Sequence, residues 1–443
     1  MTNKQDQAIT KDYEREPVPL EHRKSWLKLS IVWLGGIVAL SATALGGALG
    51  GGLPLSQAII ASFVGTFILA ILSALCGVVG AKTGLSTSFV SMFALGRYGS
   101  YAVSIIIAIA LFGWFGVQLD IFGATLHNVI LSVFNVSVHP KLLVVIGGIC
   151  MTLTAFIGYK AIEKLSLVAV PLLAVLLIAS LGKVMSNSDF STVANAPLFG
   201  DALTVGLSVS LIIGSLATGA IIGPDISRYA RSTKDAVISS FVGFFVGFSI
   251  VLIIAAILAK ATTEVDIVAI MLGLGWGSAA LLILILAQWT TNDNNLYSSA
   301  LGFSVVFKKV PKSMLTVVAG TIGTLMAVGG IYDNFIPFLI FLSALIPPIG
   351  GIYVGDFLNN RSKYQFSNLS NVKNINLVSI AIWGIASFVA FSTTPSPNGF
   401  GWFTLTGASG FDAFLVAFIL QFIVSKTLNK NEQADIELKA KGA

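Results

Sequence analysis

Long apolar segments separated by short polar connections run along almost the whole chain. A helix needs about 20 apolar residues to cross the hydrocarbon core of a bilayer, and on that criterion the pattern predicts twelve transmembrane helices. They are expected near 27–49, 55–79, 101–124, 141–159, 164–184, 203–223, 236–259, 275–300, 314–332, 335–356, 375–393 and 410–427. Polar tails at 1–25 and 428–443 flank this block.

Composition agrees with this pattern. Charged residues make up 10% of the chain and hydrophobic ones 55%, whereas about 25% of a soluble domain is charged. The fold class predicted is therefore an all-α polytopic membrane protein. No nucleophile–base pair or metal-ligand cluster occurs in the predicted helices, and the three His lie outside the polar site described below, so an enzyme is not expected.

The basic residues predict an orientation. With twelve spans, all of the 26 Lys and Arg residues except Lys141, Lys183 and Lys260 fall on the side of the two termini. Positive residues concentrate in cytoplasmic connections. We therefore expect a multi-pass protein of the cell membrane with both termini in the cytoplasm. The net charge of +6 is then an orientation signal, and neither nucleic acid nor an obligatory protein partner is expected.

The eighth predicted span contains a polar run, Gln288 to Asn295, inside an apolar segment. A charged side chain at the centre of a bilayer costs roughly 2.5–3.5 kcal/mol on insertion scales, so this helix is expected to face a water-filled cavity or to bind a solute. The hydroxyls of Thr290 and Thr291 suit a small cation, and Asn292 and Asn295 suit a polar ligand. The run predicts a transporter.

Glycines cluster in the first and sixth spans, at Gly35-Gly36 and between Gly214 and Gly223. One interpretation is close helix packing through small residues. The other is that both helices are broken, because interrupted helices at corresponding positions of two halves indicate an inverted repeat with a central binding site. Spans one and six each begin a block of five, which favours the second interpretation and leaves spans eleven and twelve as peripheral additions.

The third span places Trp114 and Gln118 four residues apart, on one helix face. A flat ring and an amide with both a donor and an acceptor would suit a planar heterocycle. A packing tryptophan beside an interhelical amide bond is the alternative.

Several motifs in one unbroken order resemble the nucleobase–cation symporter family, and within it the bacterial cytosine permeases. They are Gly80-Ala81-Lys82-Thr83-Gly84-Leu85-Ser86-Thr87, Gly113-Trp114-Phe115-Gly116, Trp289-Thr290-Thr291-Asn292-Asp293-Asn294 and Ile346-Pro347-Pro348-Ile349-Gly350-Gly351. The resemblance extends from about Leu27 to Tyr364.

This resemblance implies a LeuT-type fold, with a ten-helix core of two inverted fives over 26–357 and two further helices over 358–427. It also implies a sodium site between the first and eighth helices. The implied ligands are the hydroxyls of Thr290 and Thr291 and the backbone carbonyls of Gly35, Val38 and Ala287.

The implied substrate site departs from the cytosine permeases at three positions. Leu111 replaces a Gln, Leu216 replaces a Phe, and Thr218 replaces a Ser. Gln118, one turn after Trp114, instead resembles the hydantoin carrier. The expected substrate-binding set is Trp114, Gln118, Gly214, Leu216, Thr218, Asn292 and Asn295.

The function expected from these observations is import of a planar nucleobase-like heterocycle, such as cytosine or a purine, coupled to Na⁺ by alternating access. A proton-coupled carrier of hydroxymethylpyrimidine, allantoin or hydantoin is the main alternative, with Asp120 or Asp293 carrying the proton. A substrate-gated channel would need polar stripes on several helices, whereas the polar residues here cluster at one depth.

Overall fold

Helices make up every regular element in the computed structural model, which describes residues 13, 16–157 and 159–441, with the side chains of 157–167, 279 and 429–441 outside that description. Helices α1 to α8 span Trp26–Ile37, Leu40–Gly52, Leu55–Thr83, Thr87–Leu95, Arg97–Phe134, Pro140–Ile157, Tyr159–Asn187 and Phe190–Ala194. Helices α9 to α18 span Val205–Ile221, Gly223–Ser227, Thr233–Thr262, Ile267–Gly273, Gly277–Val306, Lys312–Val328, Phe335–Leu345, Pro347–Asn359, Leu377–Thr393 and Ser409–Lys441. The all-α prediction is confirmed.

Short 3₁₀ turns and one π-helical stretch complete the described elements. The 3₁₀ turns are Leu20–His22, Ile331–Asn334, Arg361–Lys363 and Phe366–Asn371, and the π-helical residues Phe241–Gly247 lie inside α11. The prolines at the start of α16 separate it from α15, because Pro lacks an N–H donor and clashes with a preceding helical turn. Helix α18 continues to Lys441, beyond the predicted end of the last span.

Six helical segments of the described residues are long and apolar enough to cross a membrane, and the bent pair α1–α2 makes a seventh. The six are Leu55–Thr83, Arg97–Phe134, Val168–Asn187, Thr233–Thr262, Ile331–Asn359 and Ser409–Leu428. Four shorter apolar helices, α6, α9, α14 and α17, fall in further predicted spans, and so does α13 with its polar run. That all twelve cross the bilayer remains a prediction.

The first span is broken, as predicted. Helix α1 ends at Ile37, Val38 takes φ −77° and ψ 86°, and Ala39 is extended. Helix α2 then leaves at 65° to α1. The last carbonyls of a helix have no intrahelical donor, so the end of α1 offers backbone oxygens beside the break.

The glycines of α2 allow close helix packing and do not break the helix. A Cβ on Gly46 would lie 2.6 Å from the Ala255 Cβ, and one on Gly50 would lie 2.6 Å from the Ala256 carbonyl oxygen. Both distances are far below van der Waals contact, so only glycine lets α2 lie this close to α11. Small residues allow this kind of approach between membrane helices.

The sixth span differs from the prediction. Helix α9 runs unbroken through Gly214 and Gly219 and ends at Ile221, and the chain turns only at Ile222, just before Pro224. A Cβ on Gly214 would lie 2.0 Å from the Leu339 carbonyl oxygen. Gly214 is therefore a packing glycine against α15 rather than a break.

The described helices form two packed groups around the centre. In one, α3 packs against α9 and α11, and α2 packs against α11. In the other, α5 packs against α13, α14 and α6. The pairing of α9 with α3 and of α11 with α2 is the reciprocal pairing expected of an inverted repeat, and the two groups touch only slightly at α2–α13 and α5–α9.

Residues 16–25, called here the N-terminal strap, cross one end of the first group. The Arg23 guanidinium donates to the carbonyl oxygens of Ala81 at 2.7 Å and Ala230 at 3.4 Å, and Lys24 forms an isolated parallel bridge with Ala230. Burial lowers the pKa of Arg23, and these carbonyl acceptors offset part of that desolvation. The strap thus joins the start of α1 to the ends of α3 and α10.

Candidate functional site

A cavity of about 720 Å³ lies between the two packed groups. Residues of α1, α7, α9, α10, α11 and α13 line it, so it is bounded by both groups and by the broken first span. Of the predicted site residues, it is lined by Gly35, Val38, Leu216, Thr290, Thr291 and Asn295. Most of the wall is aliphatic, and the polar atoms are concentrated on α13 and at the end of α1.

Two threonine hydroxyls of α13 at this wall share one backbone acceptor. The Thr290 hydroxyl donates to the Ala287 carbonyl oxygen at 3.0 Å, and the Thr291 hydroxyl donates to the same oxygen at 2.9 Å. Both threonine oxygens keep their lone pairs. The two hydroxyls therefore lie at the cavity wall, whereas Ala287 itself is buried and is not among the lining residues.

The end of α1 faces the same cavity. Gly35 has no neighbouring atom within 4 Å of the position of a Cβ, and Val38 is the residue at which the helix ends. Small hard cations prefer oxygen ligands. Gly35, Val38, Thr290 and Thr291 line one cavity, so backbone carbonyls and hydroxyls are the groups that an ion there would meet.

The polar side chains of α13 lie on two different faces of the helix. The Asn292 side-chain amide is fully buried and donates to the Met151 Sδ at 3.2 Å. Thr154 donates to the Asp293 carboxyl at 2.8 Å and accepts from the Trp289 indole at 3.3 Å. These side chains fasten α13 to α6 and lie away from the cavity.

Trp114 and Gln118 also lie outside the cavity wall. The Trp114 ring packs edge-on against Phe338 and Phe335 of α15, with centroids 5.3 Å and 6.1 Å apart. The Gln118 amide donates to the Ser41 hydroxyl at 3.2 Å. Its carbonyl oxygen is buried, with no hydrogen-bond partner among the described residues, so this amide keeps an acceptor for a ligand.

The remaining predicted residues divide in the same way. Leu216 of α9 and Asn295 of α13 line the cavity, whereas Gly214 and Thr218 do not. Thr218 is buried one turn after Gly214, on the side of α9 that approaches α15, and its hydroxyl has no partner among the described residues. In this conformation the predicted substrate residues are therefore not gathered in one pocket.

Sequence reasoning missed several residues of the site. Gly219, Phe244 and Asn294 line the cavity, and Ser41 holds Gln118. Asn294 could have been found from its place in the polar run. Phe244 lies in an apolar span with no local signal, so its position depends on the packing of α11 against the rest of the group.

Comparison with known proteins gives this geometry a context. A family described as permeases for cytosine/purines, uracil, thiamine and allantoin matches residues 17–415. The chain belongs to this family. It is accordingly a membrane transporter and not an enzyme, as the sequence predicted.

Individual relatives support the same assignment. The cytosine permease of Escherichia coli (strain K12) is 34% identical over 369 residues, which cover 83% of this permease and 86% of that protein. The purine-uracil permease NCS1 of Arabidopsis thaliana is 24% identical over 486 residues, covering 97% of this chain and 80% of the relative.

Solved structures show the fold. The inward-facing conformation of Mhp1 superposes with a TM-score of 0.81 at 18% identity, over 94% of this permease and 93% of Mhp1. A closed conformation of Mhp1, a nucleobase-cation-symport-1 family transporter with bromovinylhydantoin bound, gives a TM-score of 0.76, over 94% of this permease and 96% of that chain. The permease therefore has the fold of Mhp1.

Proposed function

We propose that this permease imports a planar nucleobase-like heterocycle by alternating access, coupled to Na⁺. The observation that carries the proposal is that Thr290 and Thr291, whose hydroxyls meet at the Ala287 carbonyl, line the same cavity as Gly35 and Val38 at the end of α1. Gly35 and Val38 supply the other carbonyl ligands. Helix α1 packs against α11 of the first group, so an ion bridging α1 and α13 links the two packed groups and its binding biases their relative position.

Substrate recognition in this proposal begins at the buried amide of Gln118. Its unpartnered carbonyl oxygen accepts from a ring N–H, and Asn295 supplies a further polar contact from the cavity wall. Trp114 offers its ring face once α15 moves away from the edge contacts of Phe335 and Phe338. Leu216 gives the pocket an aliphatic wall where the cytosine permeases have an aromatic residue.

Asn292, Gly214 and Thr218 are left out of the proposed set. The Asn292 amide packs on Met151, and Gly214 and Thr218 belong to the side of α9 that approaches α15. Cytosine itself remains one candidate among purines, uracil-like rings and hydroxymethylpyrimidine, because Leu111 and Leu216 remove two contacts expected for cytosine.

Transport requires the two packed groups to change position around the cavity. Sodium couples to this change if it favours the substrate-competent arrangement by a few kcal/mol, since a ligand shifts an equilibrium only by its differential affinity for the two states. The slight contact between the groups, at α2–α13 and α5–α9, supports such a movement. The twelve-span topology with both termini cytoplasmic, in the cell membrane, belongs to the same proposal.

Proton coupling is the second candidate, and it would need a titratable group to carry the proton. Asp120 accepts from the Tyr332 backbone N–H at 3.1 Å, and Asp293 accepts from Thr154. Neither carboxyl lines the cavity, and this observation favours sodium at the threonine pair.

A thermal-shift screen of purified permease tests the proposal. Nucleobases, hydantoins, allantoin and hydroxymethylpyrimidine are each added in sodium and in potassium buffer. A ligand that binds only the folded state at a hundredfold excess over its Kd stabilises it by about 2.7 kcal/mol. We expect a shift with one planar ring that is much larger in sodium.

The outcomes separate the parts of the proposal. A shift of equal size in both salts would retain the ring pocket and reject sodium as the coupling ion. No shift with any ring, in a sample that unfolds cooperatively, would reject the nucleobase-like substrate.

A further inference from the structure

The connection between α17 and α18 has an unusual surface. No charged residue occurs between Lys373 and Asp412, a stretch that includes α17 and the whole connection. The connection itself exposes four large apolar side chains: Phe400 at 51%, Trp402 at 64%, Phe403 at 45% and Leu405 at 54%. By contrast, the connection between α7 and α9 carries Asp189 and Asp201.

Backbone hydrogen bonds fold this connection back onto α17. The N–H groups of Phe400, Gly401 and Trp402 donate to the carbonyls of Phe391, Thr394 and Ser392, each at 2.9 Å. A Cβ on Gly399 would lie 2.4 Å from the Thr394 Cβ, so glycine is needed for the close return. These three N–H groups are therefore satisfied within the protein, as backbone next to hydrocarbon requires.

The aromatic rings continue the exposed face of α17. Phe400 and Trp402 stack with centroids 4.8 Å apart, and Trp402 packs edge-on against Phe388 of α17 at 5.8 Å. Phe388 is itself 53% exposed, as is Ile385 one turn earlier at 51%. One apolar surface thus extends from the helix onto the returning connection.

The length of α17 indicates how deep this surface lies in the bilayer. The 17 residues of α17, at 1.5 Å each, span about 26 Å, which is less than the ~30 Å hydrocarbon core. Asn376, just before α17, donates to the Leu95 and Ala94 carbonyls at the end of α4. The strap contacts the chain just before α4, because the Val18 N–H donates to the Gly84 carbonyl. The start of α17 therefore lies at the strap's end of the molecule. The returning connection therefore lies at the opposite boundary of the bilayer.

We propose that residues 395–406 form an interfacial anchor whose partner is the lipid bilayer itself, at the level of the glycerol and carbonyl groups of the leaflet opposite the strap. Tryptophan rings favour this level of the membrane. The stacked rings insert beside α17 and fix the depth and tilt of the two helices that follow the ten-helix core. A second copy of this chain is the competing occupant, and the test separates the two.

The experiment uses full-length permease in nanodiscs of phosphatidylcholine brominated either near the glycerol end or near the methyl end of the acyl chains. The fluorescence of wild type minus that of W402F isolates the contribution of Trp402 from the other six tryptophans. We expect this difference signal to be quenched at least twofold more by the shallow bromines than by the deep ones, and little by aqueous iodide.

Three results would overturn the proposal. Quenching by iodide without quenching by either lipid would place Trp402 in water. Stronger quenching by the deep bromines would place it in the hydrocarbon core. A signal shielded from both, and dependent on the number of permease molecules per disc, would assign the surface to a second copy.

A second measurement, of thermal unfolding, distinguishes a bilayer anchor from side chains that only pack against α17. The triple variant F400S/W402S/F403S is expected to lower the thermal unfolding midpoint more in nanodiscs than in detergent, because only the bilayer supplies an ordered interface. Asn398→Ser, at the tip of the same connection, is the matched control and leaves both midpoints unchanged. An equal loss in both environments would show a packing role only and reject the anchor.

Discussion

Helix α13 presents two polar faces made of similar residues. On the cavity face, Thr290 and Thr291 point their hydroxyls at the Ala287 carbonyl, and Asn295 lines the same wall. On the packed face, Asn292 contacts Met151, and Asp293 is joined through Thr154 to Trp289. The comparison shows that adjacent polar residues of one helix differ in their surroundings, since some line a cavity and others fasten α13 to α6.

The largest expected effect comes from removing both hydroxyls on the cavity face. Thr290→Ala with Thr291→Ala should raise the sodium concentration for half-maximal uptake about a hundredfold, as two steps of about 1.4 kcal/mol. Sodium titration of uptake into proteoliposomes measures it. Thr290→Ser with Thr291→Ser keeps both oxygens and is the matched control; unchanged sodium affinity in the alanine variant would place the ion elsewhere.

A change on the packed face should affect stability instead. Thr154→Val removes the donor to Asp293 and the acceptor of Trp289, and we expect it to lower the free energy of unfolding by about 2 kcal/mol, within the range for unsatisfied buried polar groups. Denaturant unfolding in detergent measures this.

The control for Thr154→Val is Thr262→Val. Among the described residues, the Thr262 hydroxyl bonds only to the Leu258 carbonyl, one turn earlier in its own helix. A fall in sodium affinity in Thr154→Val, with stability unchanged, would contradict the division of α13 into two faces.

On the cavity face, a change at Asn295 should weaken substrate binding without changing sodium binding. Loss of one hydrogen bond in Asn295→Ala is expected to weaken substrate binding by roughly 0.5–1.5 kcal/mol, about two- to tenfold, with the sodium affinity retained. Equilibrium binding of the ring found in the thermal-shift screen measures both constants. Equal binding in wild type and variant would remove Asn295 from the substrate site.

The smallest effect is expected at Asn292. Its oxygen has no hydrogen-bond partner among the described residues, and its amide meets only a thioether, so Asn292→Leu should change the free energy of unfolding by less than about 0.5 kcal/mol. Thermal unfolding and substrate binding are measured together. A well-folded variant that no longer binds substrate would move Asn292 to the cavity face and restore the original prediction.

Hydropathy and charge predicted the helical class and the positions of the helices, because a membrane requires long apolar stretches whatever the tertiary structure. The polar run of α13 indicated the candidate site, because it interrupts one of these apolar stretches. Its division into two faces was not predicted, since it depends on which neighbours, Met151 and Thr154 on one side and the end of α1 on the other, contact each side of the helix.

Glycine was the least decisive signal. Gly35-Gly36 lie just before a real break, but the bend itself is at Val38–Ala39, where no glycine occurs. Gly214 resembles a break in sequence and is a packing residue in the structure, because its contact with Leu339 joins residues more than one hundred positions apart. The absence of a Cβ serves both purposes equally well, so composition cannot distinguish them.

The strap has a consequence for biosynthesis. Arg23 and its acceptor Ala230 are 207 residues apart in sequence, and chains are synthesised at about 5–20 residues per second. The acceptor therefore emerges from the ribosome roughly ten to forty seconds after the arginine. During this interval the start of the first span lacks this partner while the intervening helices are made. The strap is therefore synthesised before those helices but completes its contacts after them.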